Sequence, residues 1–577
     1  MRDTTADPLA PARAALARGD LVSTYDLALG ALDEGVPGAD YLVVLSLARL
    51  GDTAAARARY LAFGLDAATD VDTRALWARL AKDEAAAAPP GPARDASFRE
   101  ASAAYARIYR ETGDVFPGVN AATTAMLAGD AEGARDCASD ILRRIGQPAD
   151  FWTAASRAEA LLLLGREDEA LAGMRAALAL PGASTGARTT TLRQLDLIGR
   201  CTSLDAAGAI RDAMRPPTTL YYCGHMFLAD PAAEATLAAR IDAVLEERQV
   251  GIGFGALACG ADILVAERLL ARGCELNVVL PFRIEDFRPL SVEPGGEAWK
   301  ARFDACLAAA MSVHIVSSIG YIGDPQALRH ASDVGMGLAR LRARQHADDA
   351  TLLAIWDGTP PRGVAGTALD VAAWEAAHGE TVVLAPDGID RRLSSGALPA
   401  EYAGPPRVVM ALIFADVPGF AQLPEIELPT FWREVMGTVG QVLDRHGEAV
   451  VSRNSWGDAI FAVVDKVSVA AEIVLSLQET LREISPGVTL RIGVHQGTVF
   501  ATPDPITHLP TFYGRDVARA ARIEPVTPPG QVYVTESFAA ALAMEAEAAF
   551  RCFYVGQVQL AKQFGTFPMY RLARARP

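Results

Sequence analysis

The sequence is poor in cysteine and in positive charge for its length. Its seven cysteines are scattered over 577 residues and never form a C-x-x-C pair, which argues against both a disulfide framework and a zinc site. The 54 lysines and arginines are outnumbered by 70 aspartates and glutamates, so the formal net charge is -16. Such a chain repels a polyanionic backbone, and we expect no nucleic acid partner.

Long hydrophobic runs are also missing. No stretch of about 18 uncharged apolar residues occurs, so we expect no membrane partner. The N-terminus, MRDTTADPLA, lacks the charged-then-apolar order of a signal peptide, and we expect a cytoplasmic protein with reduced thiols. The chain is longer than the roughly 250–300 residues that one hydrophobic core spans, which predicts two to four domains.

Residues 1–212 are rich in alanine, leucine and arginine, and their apolar residues recur at helical spacing. Glycine followed by aspartate or arginine recurs there as a turn signal, at Gly19, Gly51, Gly129 and Gly165. The pattern predicts helical hairpins. The stretch APPGPARDAS near Pro89 predicts either a loop or a break between subarrays.

Two stretches of this helical segment resemble known domains. ASRAEALLLLGREDEALAGMRAALALP, from Ala155 to Pro181, resembles a tetratricopeptide repeat, whose period is about 34 residues. FREASAAYARIYRETGDVFPGVNAATTAMLAG, from Phe98, resembles the TRAFs-binding helical domain found near bacterial signalling modules. We interpret the segment as an all-α solenoid that serves either for contacts with a protein partner or for packing, with no chemistry of its own.

Residues 216–390 change to short apolar strands that alternate with helices. The strands are TTLYYCG, VGIGFG, ELNVVLPF, SVHIVSS, TLLAIWDG and TVVLAP, an order that predicts a parallel α/β domain. Glycines follow several of these strands, where open sheets bind ligands. The alternative is that these glycines only make tight turns.

Four segments of this middle domain, GALACGADILVAERLLARG, VVLPF, AIWDG and GTALDVAAWEAAHG, together resemble the Rossmann-like SLOG superfamily, which is related to the DprA and LOG proteins. Members of that superfamily sense or process nucleotide-derived ligands. The resemblance therefore implies such a ligand here. It implies a pocket formed by Gly260, Asp262, Trp356, Asp357, Gly366 and Thr367.

A segment rich in glycine, proline and serine, residues 391–406, predicts a linker, and a new domain is expected over residues 407–577. The run VVMALIFADVPGF predicts a buried strand that ends at Asp416. The following segments predict the order βαββα, with Asp458 in a turn between two strands. Two carboxylates at the ends of adjacent strands are hard oxygen ligands that can hold two Mg²⁺ ions about 3.5–4 Å apart.

Several ordered motifs of this last domain resemble the class III adenylate and guanylate cyclases. FADVPGFAQL matches the family signature F-x-D-I-x-G-F-T-x-L, and SWGDAIFAVV matches its second metal motif. LRIGVHQGTVFA, FYGRDVARAARIEP and PPGQVYVTESF match the hairpin, helix and strand that complete the active site. The resemblance implies an α+β, ferredoxin-like fold and a phosphorus–oxygen lyase. Such a lyase converts a nucleoside triphosphate to a 3′,5′-cyclic nucleotide and pyrophosphate.

The same resemblance assigns the site residues. It implies that Asp416, Asp458 and the backbone carbonyl of Val417 bind two Mg²⁺ or Mn²⁺ ions. It implies that the turn at Phe420 binds the phosphates through backbone N–H groups, that Lys562 binds the triphosphate and that Arg522 stabilises the transition state. Class III sites form between two cyclase domains and this chain has one, so we expect a head-to-tail homodimer. We interpret His495 as structural.

Four positions depart from the family pattern. Asn454 stands where purine cyclases usually place a base-selecting lysine, Thr511 is at its partner position, and Trp456 is a bulky aromatic before Gly457. Ala518 replaces the transition-state asparagine.

These departures leave several alternatives open. One is a catalytically silent scaffold that only binds nucleotide. Another is an enzyme with altered base choice, because an amide and an aromatic wall suit a pyrimidine. The retained metal site with a changed base pocket resembles the pyrimidine cyclases of bacterial Pycsar antiphage systems, which make cyclic UMP or cyclic CMP. A third alternative is an adenylate or guanylate cyclase with an unusual base pocket. A fourth is a protein whose main activity lies in the middle domain.

Overall fold

A computed structural model describes residues 7–201, 206–361, 363–386, 389–390, 404–405, 407–485, 487–546 and 548–575. These residues form two compact units. The first comprises the chain up to Pro216 together with Gln345–Asp348, and the second comprises residues 217–344 and 349–575. The predicted linker, apart from residues 404–405, lies outside the described residues.

The first unit is helical. Its helices are α1 (Ala10–Arg18), α2 (Leu21–Asp33), α3 (Ala39–Leu50), α4 (Thr53–Ala62), α5 (Val71–Ala87), α6 (Pro92–Thr112), α7 (Val115–Leu127), α8 (Ala131–Arg144), α9 (Phe151–Leu163), α10 (Glu167–Ala177), α11 (Thr185–Cys201) and α12 (Ala206–Ala213). None of the helices in the described part of the chain combines the length and apolar composition that a membrane crossing requires.

The glycine-containing turn signals mark helix boundaries. Gly19 and Gly51 end α1 and α3 with φ of 74° and 90°, the left-handed region that glycine enters without a Cβ clash. The next residue, Asp20 or Asp52, caps the following helix. It accepts a hydrogen bond of 3.1 Å from the backbone N–H three residues on.

The chain near Pro89 makes a short loop and not a break in the helical array. Helix α5 ends just before it and α6 begins just after it. Ala78 of α5 and Tyr105 of α6 belong to the same buried hydrophobic cluster. The two helices are therefore continuous neighbours, which decides between the two alternatives left open by the sequence.

The first part of the second unit alternates strands and helices. Its strands are β1 (Thr218–Gly224), β2 (Leu228–Ala229), β3 (Val250–Gly255), β4 (Glu275–Leu280), β5 (Ser312–Ile315), β6 (Ala350–Ile355), β7 (Glu380–Leu384) and β8 (Ile389–Asp390). Its helices are α13 (Pro231–Glu247), α14 (Ala261–Ala271), α15 (Ile284–Ser291), α16 (Glu297–Ala309), α17 (Gln326–Gln345) and α18 (Thr367–Ala376).

Six of these strands form a parallel sheet within the described residues, in the order β5-β4-β3-β1-β6-β7, and β2 pairs with β8. Successive side chains of β1 point to opposite faces. Leu220 and Tyr222 lie in one hydrophobic cluster, and Tyr221 and Cys223 lie in another. Both faces of the sheet are thus buried, as parallel sheets require.

The second part contains a mixed sheet. Its strands are β9 (Arg407–Asp416), β10 (Val450–Trp456), β11 (Ala459–Val464), β12 (Arg491–Pro503), β13 (Pro510–Tyr513), β14 (Val532–Thr535), β15 (Phe550–Gln559) and β16 (Thr566–Arg574). Its helices are α19 (Leu428–Phe431), α20 (Gly437–Asp444), α21 (Val467–Ile484), α22 (Arg515–Ile523) and α23 (Glu536–Glu545), with a π-helix at Trp432–Met436. In the described residues the strand order is β10-β11-β9-β12-β14-β16-β15, with β13 beside β12.

The two sheets belong to one compact unit, in which helix α17 contacts helix α23. At Gly337 of α17, a Cβ atom would lie 2.1 Å from the carbonyl oxygen of Ala540. Arg344 of α17 also donates a hydrogen bond of 3.3 Å to the carbonyl oxygen of Ala543. The absence of a side chain at Gly337 therefore permits backbone contact between the two helices.

Candidate active site

The two predicted metal aspartates lie side by side. Asp416 ends β9, and Asp458 lies in the turn between β10 and β11. Strand β9 is flanked by β11 and β12 in the sheet, so this turn is next to the end of β9. The backbone N–H of Val417 donates a hydrogen bond of 3.3 Å to Oδ2 of Asp458. Both carboxylates and the Val417 backbone thus meet at one edge of the sheet.

An arginine that the sequence analysis missed holds Asp416 in place. Arg491 begins β12 directly opposite Asp416. Its Nε donates to Oδ1 of Asp416 at 2.9 Å, and its Nη2 donates to Oδ2. Nη2 also lies 3.1 Å from Oε1 of Glu524. The signal available in the sequence was a lone charged residue at the start of the apolar strand RIGV.

Glu524 adds a third carboxyl group, which the sequence analysis also missed. Burial, followed by the hydrogen bond and charge of Asp416, raises the pKa of Glu524 to about 8. The same carboxylates raise the pKa of Arg491, with the Asp416 hydrogen bond as the largest cause. The site therefore holds more negative potential than one guanidinium neutralises.

This donor set fits divalent cations of the Mg²⁺ or Mn²⁺ type. Carboxylate and carbonyl oxygens are the ligands that these hard ions take, and the excess negative potential favours a cation. No cluster of three or more His, Cys, Asp or Glu ligands occurs in the part of the chain that the structure describes. Oxygens of a phosphate substrate or water would have to complete the coordination, as is usual for Mg²⁺.

A glycine turn follows the first aspartate and opens on a cavity. Gly419 has φ of 86°, a left-handed conformation that lets the chain turn into the 3₁₀ segment Phe420–Gln422. Val417, Gly419 and Phe420 line a cavity of about 610 Å³. The ring of Phe420 lies 3.6 Å from the position of a Cβ at Gly457, so the turn is close to the Asp458 hairpin.

The predicted catalytic arginine, Arg522, lies in the last turn of helix α22. No hydrogen bond or ion pair of Arg522 occurs among the described residues, and its side chain is partly exposed. The start of the same helix is held firmly. Buried Asp516 accepts a hydrogen bond of 2.9 Å from the N–H of Thr498 and lies 3.3 Å from Nε2 of His495.

His495 is buried and bridges two elements. Its Nδ1 lies 2.9 Å from the hydroxyl oxygen of Thr535, and its Nε2 faces Asp516. Burial lowers the pKa of His495 and so favours the neutral ring. These contacts agree with the interpretation of His495 as a structural residue.

Two of the candidates for base recognition, Asn454 and Trp456, are exposed, and the third, Thr511, is half-buried. Trp456 is 89% exposed at the end of β10, and Asn454 on the same strand uses its Oδ1 to accept the N–H of Ser455 at 2.8 Å. Thr511 lies on β13, opposite Thr502 of β12. Exposed Lys562 has φ of 57° in the turn between β15 and β16. None of the contacts in the described residues joins these four side chains to Asp416 or Asp458.

The middle-domain candidates are brought together only in part. Asp262, Gly366 and Thr367 line a cavity of about 590 Å³ at the carboxyl ends of β1 and β3, which we call the strand-end pocket. Gly260 precedes α14 beside this pocket. Asp357 lies 3.0 Å from Nε2 of His225, which also lines it.

Trp356 does not belong to the lining of the strand-end pocket. Its indole N–H donates a hydrogen bond of 3.0 Å to the carbonyl oxygen of Thr359. This hydrogen bond lies within the loop that contains Trp356. The prediction that Trp356 lines the pocket is therefore corrected. The aromatic ring is used to stabilise the turn after β6.

Comparison with known proteins finds family matches for the N-terminal and C-terminal parts of the chain. Residues 406–573 match the family model of the adenylate and guanylate cyclase catalytic domain. The C-terminal domain is a class III nucleotidyl cyclase domain, a lyase. Residues 20–126 match the family model Tetratricopeptide Repeats-Sensor, which confirms the helical repeats.

The individual relatives are distant in sequence. An adenylate cyclase of Streptomyces griseus is 26% identical over 347 residues, which cover 56% of this chain and 79% of that protein. The guanylate cyclase domain of RhGC from Catenaria anguillulae, solved with GTP, is 17% identical over 29% of this chain and 97% of that chain, with a TM-score of 0.26. The adenylyl cyclase CyaB from P. aeruginosa is 15% identical over 30% of this chain and 96% of that chain, with a TM-score of 0.26.

Proposed function

We propose that this protein converts a nucleoside triphosphate into a 3′,5′-cyclic nucleotide and pyrophosphate. The observation that supports this function best is the meeting of Asp416, Asp458 and the Val417 backbone at one sheet edge inside the cyclase domain. Acidic oxygens grouped beside a glycine turn are the donors that a phosphoryl-transfer site needs.

The residues divide the chemistry among them. Asp416, Asp458 and the Val417 carbonyl would hold two Mg²⁺ or Mn²⁺ ions, which supply Lewis acidity for the 3′-hydroxyl and the triphosphate. Arg491 orients Asp416 through two hydrogen bonds. The backbone N–H groups of the Phe420 turn bind phosphate oxygens. Arg522 neutralises charge that develops on the α-phosphoryl group, and Lys562 binds the leaving pyrophosphate.

The acidic edge and the other contacts come from two copies of the chain in this proposal. Arg522 has no hydrogen-bond or ion-pair partner among the described residues, Asn454 and Trp456 are exposed and Thr511 is half-buried, as expected for groups that complete a site across a dimer. A mixture of Asp416→Ala and Arg522→Ala chains tests this. Mixed dimers contain one intact site, so activity should return, and failure to recover activity would count against shared sites.

A substitution at Asp458 tests the reaction itself. We expect Asp458→Asn to lose pyrophosphate release that depends on Mg²⁺ or Mn²⁺, because a neutral amide is a poor ligand for these ions. Asp465→Asn, at an exposed aspartate of the same domain, is the control and should keep wild-type turnover. Tight triphosphate binding without turnover in the wild type would favour a silent scaffold instead.

A comparison of turnover between variants of the two domains distinguishes a cyclase from an enzyme whose main activity lies in the middle domain. Turnover that survives Asp416→Ala but is lost in Asp262→Ala or Asp357→Ala would place the chemistry there. The nucleotide-derived ligand and the SLOG relationship of that domain are proposals of the sequence analysis, and so is a protein partner for the helical repeats.

The favoured product is a cyclic pyrimidine, cyclic UMP or cyclic CMP, made for antiphage signalling of the Pycsar type. Asn454 and Trp456 are the residues that support this choice. A purine product is the second candidate, since the Streptomyces griseus relative is named an adenylate cyclase. Incubation of the protein with ATP, GTP, CTP and UTP separately, with Mn²⁺ and mass analysis of the products, decides. A cyclic purine as the main product would end the pyrimidine proposal.

A further inference from the structure

The strand-end pocket is acidic. Two buried carboxyl groups, Asp262 and Asp370, line it with 8% and 4% exposure. Among the described residues that line the pocket there is no lysine and no arginine. Nη1 of Arg329, on α17, donates a hydrogen bond of 3.2 Å to Oδ1 of Asp370, but Arg329 also forms an ion pair with Asp333. Two carboxyl groups thus already balance the charge of Arg329.

Two helix starts open on this pocket, yet they do not make it a site for an anion. Helices α14 and α18 begin there, and a free helix N-terminus has a partial positive charge that favours anions. Asp262 and Asp370 lie in the first turns of these two helices, so each start has its own compensating carboxyl group. An added phosphate would face two acidic side chains.

Asp262 retains an unused acceptor. Its Oδ2 accepts a hydrogen bond of 3.2 Å from the N–H of Ala258, whereas its buried Oδ1 has no hydrogen-bond partner in the described residues. A buried acceptor without a partner is costly, and a ligand that donates to it recovers that cost. Asp370 already accepts from the hydroxyl of Ser332 at 3.2 Å.

Helix α17 connects this pocket with the cyclase domain. Leu328, Ala331 and Ser332 of α17 line the pocket. Next to them on the same helix, buried His330 is within the electrostatic range of four residues of the cyclase domain, Asp516, His495, Arg519 and Arg407.

Asp516 begins helix α22, which also contains Arg522. A shift of α17 would therefore act, through the electrostatic interaction of His330 with Asp516, on the helix that contains the proposed catalytic arginine. Coupling of this kind requires that the ligand binds two arrangements of α17 with different affinity.

We propose that the strand-end pocket binds a small neutral or cationic ligand that donates an N–H group to Asp262, and that helix α17 transmits its binding to the helix of Arg522. The cavity of about 590 Å³ has room for a ring of nucleobase or nucleoside size. Within the nucleotide-derived class, we expect an uncharged base or nucleoside to fit better than a phosphorylated one, because two buried carboxyl groups and neither lysine nor arginine line the pocket.

Calorimetric titration of the full chain, without triphosphate or metal, tests the ligand class. The probes are adenine and cytosine, neutral rings with an amino group beside a ring nitrogen, and their anionic counterparts are adenosine monophosphate and inorganic phosphate. We expect one of the rings to bind at least about tenfold more tightly than either anion. Tighter binding of an anion, or no binding of either ring, would overturn the assignment.

Two substitutions locate the binding. Asp262→Ala removes the acceptor, and Ala331→Leu fills the pocket from α17, so each should weaken ring binding at least tenfold. Asp304→Ala, at an exposed aspartate of α16, is the control. Unchanged ring binding in both pocket variants would refute the site. This measurement needs no turnover, so its outcome is independent of the proposed cyclase activity.

Hydrogen exchange measured by mass spectrometry tests the connection. Addition of the bound ring should slow amide exchange in α17 and change it in α22 of the wild type. The same ring should leave α22 unchanged in Gly337→Ala if that variant loosens the contact between α17 and α23. An unchanged α22 in the wild type would show that pocket and cyclase are not coupled.

Discussion

Replacement of Gly337 by alanine tests whether the contact between α17 and α23 is as close as the structure shows. The new methyl group would lie 2.1 Å from the carbonyl oxygen and 2.3 Å from the carbonyl carbon of Ala540. These are backbone atoms of a helix, so they cannot rotate away as a side chain can. The two helices must separate, and overpacking of this kind costs about 1–3 kcal/mol.

The same substitution gains some helix stability, since alanine in place of glycine inside a helix contributes about 0.5–1 kcal/mol. The net expectation is therefore a loss of up to about 2.5 kcal/mol in the unfolding free energy of the second unit. Gly440→Ala is the matched control, because Gly440 is also helical and a Cβ there has no neighbour within 4 Å. That variant should gain about 0.5–1 kcal/mol.

Urea denaturation of the full chain measures both changes, with the midpoint of the second unit as the quantity compared, because a chain of two units does not unfold in one step. Hydrogen exchange in α17 and α23 adds a local measurement. The two variants should move the midpoint in opposite directions. If Gly337→Ala were as stable as Gly440→Ala, helices α17 and α23 would not be in backbone contact.

Three further substitutions have distinct expected results. Burial lowers the pKa of His330 to about 4, so the unfolded chain binds the proton first between about pH 6.5 and 4 and stability falls through that window. His330→Gln should reduce this acid sensitivity, measured as the difference in urea midpoint between pH 7.5 and pH 5. Arg491→Gln should lower turnover about 10–100-fold at saturating Mn²⁺, because Asp416 loses the group that orients it, whereas exposed Arg482→Gln should not. Lys82→Ala should destabilise the first unit by about 2–3 kcal/mol in thermal unfolding, because Lys82 is buried and donates to Asn120 and Gln194 at 3.1 Å and 2.7 Å.

Local signals in the sequence predicted much of what the structure shows. The turns that begin with Gly19 and Gly51 depend on a conformation that glycine favours and on an aspartate that caps the next helix, so both can be identified from neighbouring residues. Asp416 and Asp458 could be identified for a similar reason. Asp416 ends one apolar strand and Asp458 directly precedes another, and strands that neighbour in a sheet bring their ends together.

Interactions between distant segments could not be predicted in this way. Arg491 and Glu524 are 75 and 108 positions from Asp416, and neither spacing follows a helical or strand period. The contact of Gly337 with Ala540 is between a helix that accompanies the parallel sheet and a helix that accompanies the mixed sheet. The sequence around a helical glycine does not show whether the glycine is closely packed or faces open space. Exposure of Trp456 was likewise missed, because an aromatic residue next to a glycine turn fits a pocket wall as well as a solvent-facing tip.

The proposed catalytic arginine depends on how the start of α22 is held, and three independent contacts converge there. Asp516 accepts a hydrogen bond from the backbone N–H of Thr498 and faces the ring of His495. It also packs closely against Gly497, where a Cβ would lie 2.6 Å from the Asp516 carboxyl carbon. The helix is thus fixed at its beginning against β12, while its last turn, with Arg522, stays open. Ala518, which stands where the family resemblance predicts an asparagine, lies in this helix after the fixed start. A change that reaches Asp516 through α17 would therefore alter the direction of Arg522 without touching the metal aspartates, which is where control of the cyclase can act separately from its chemistry.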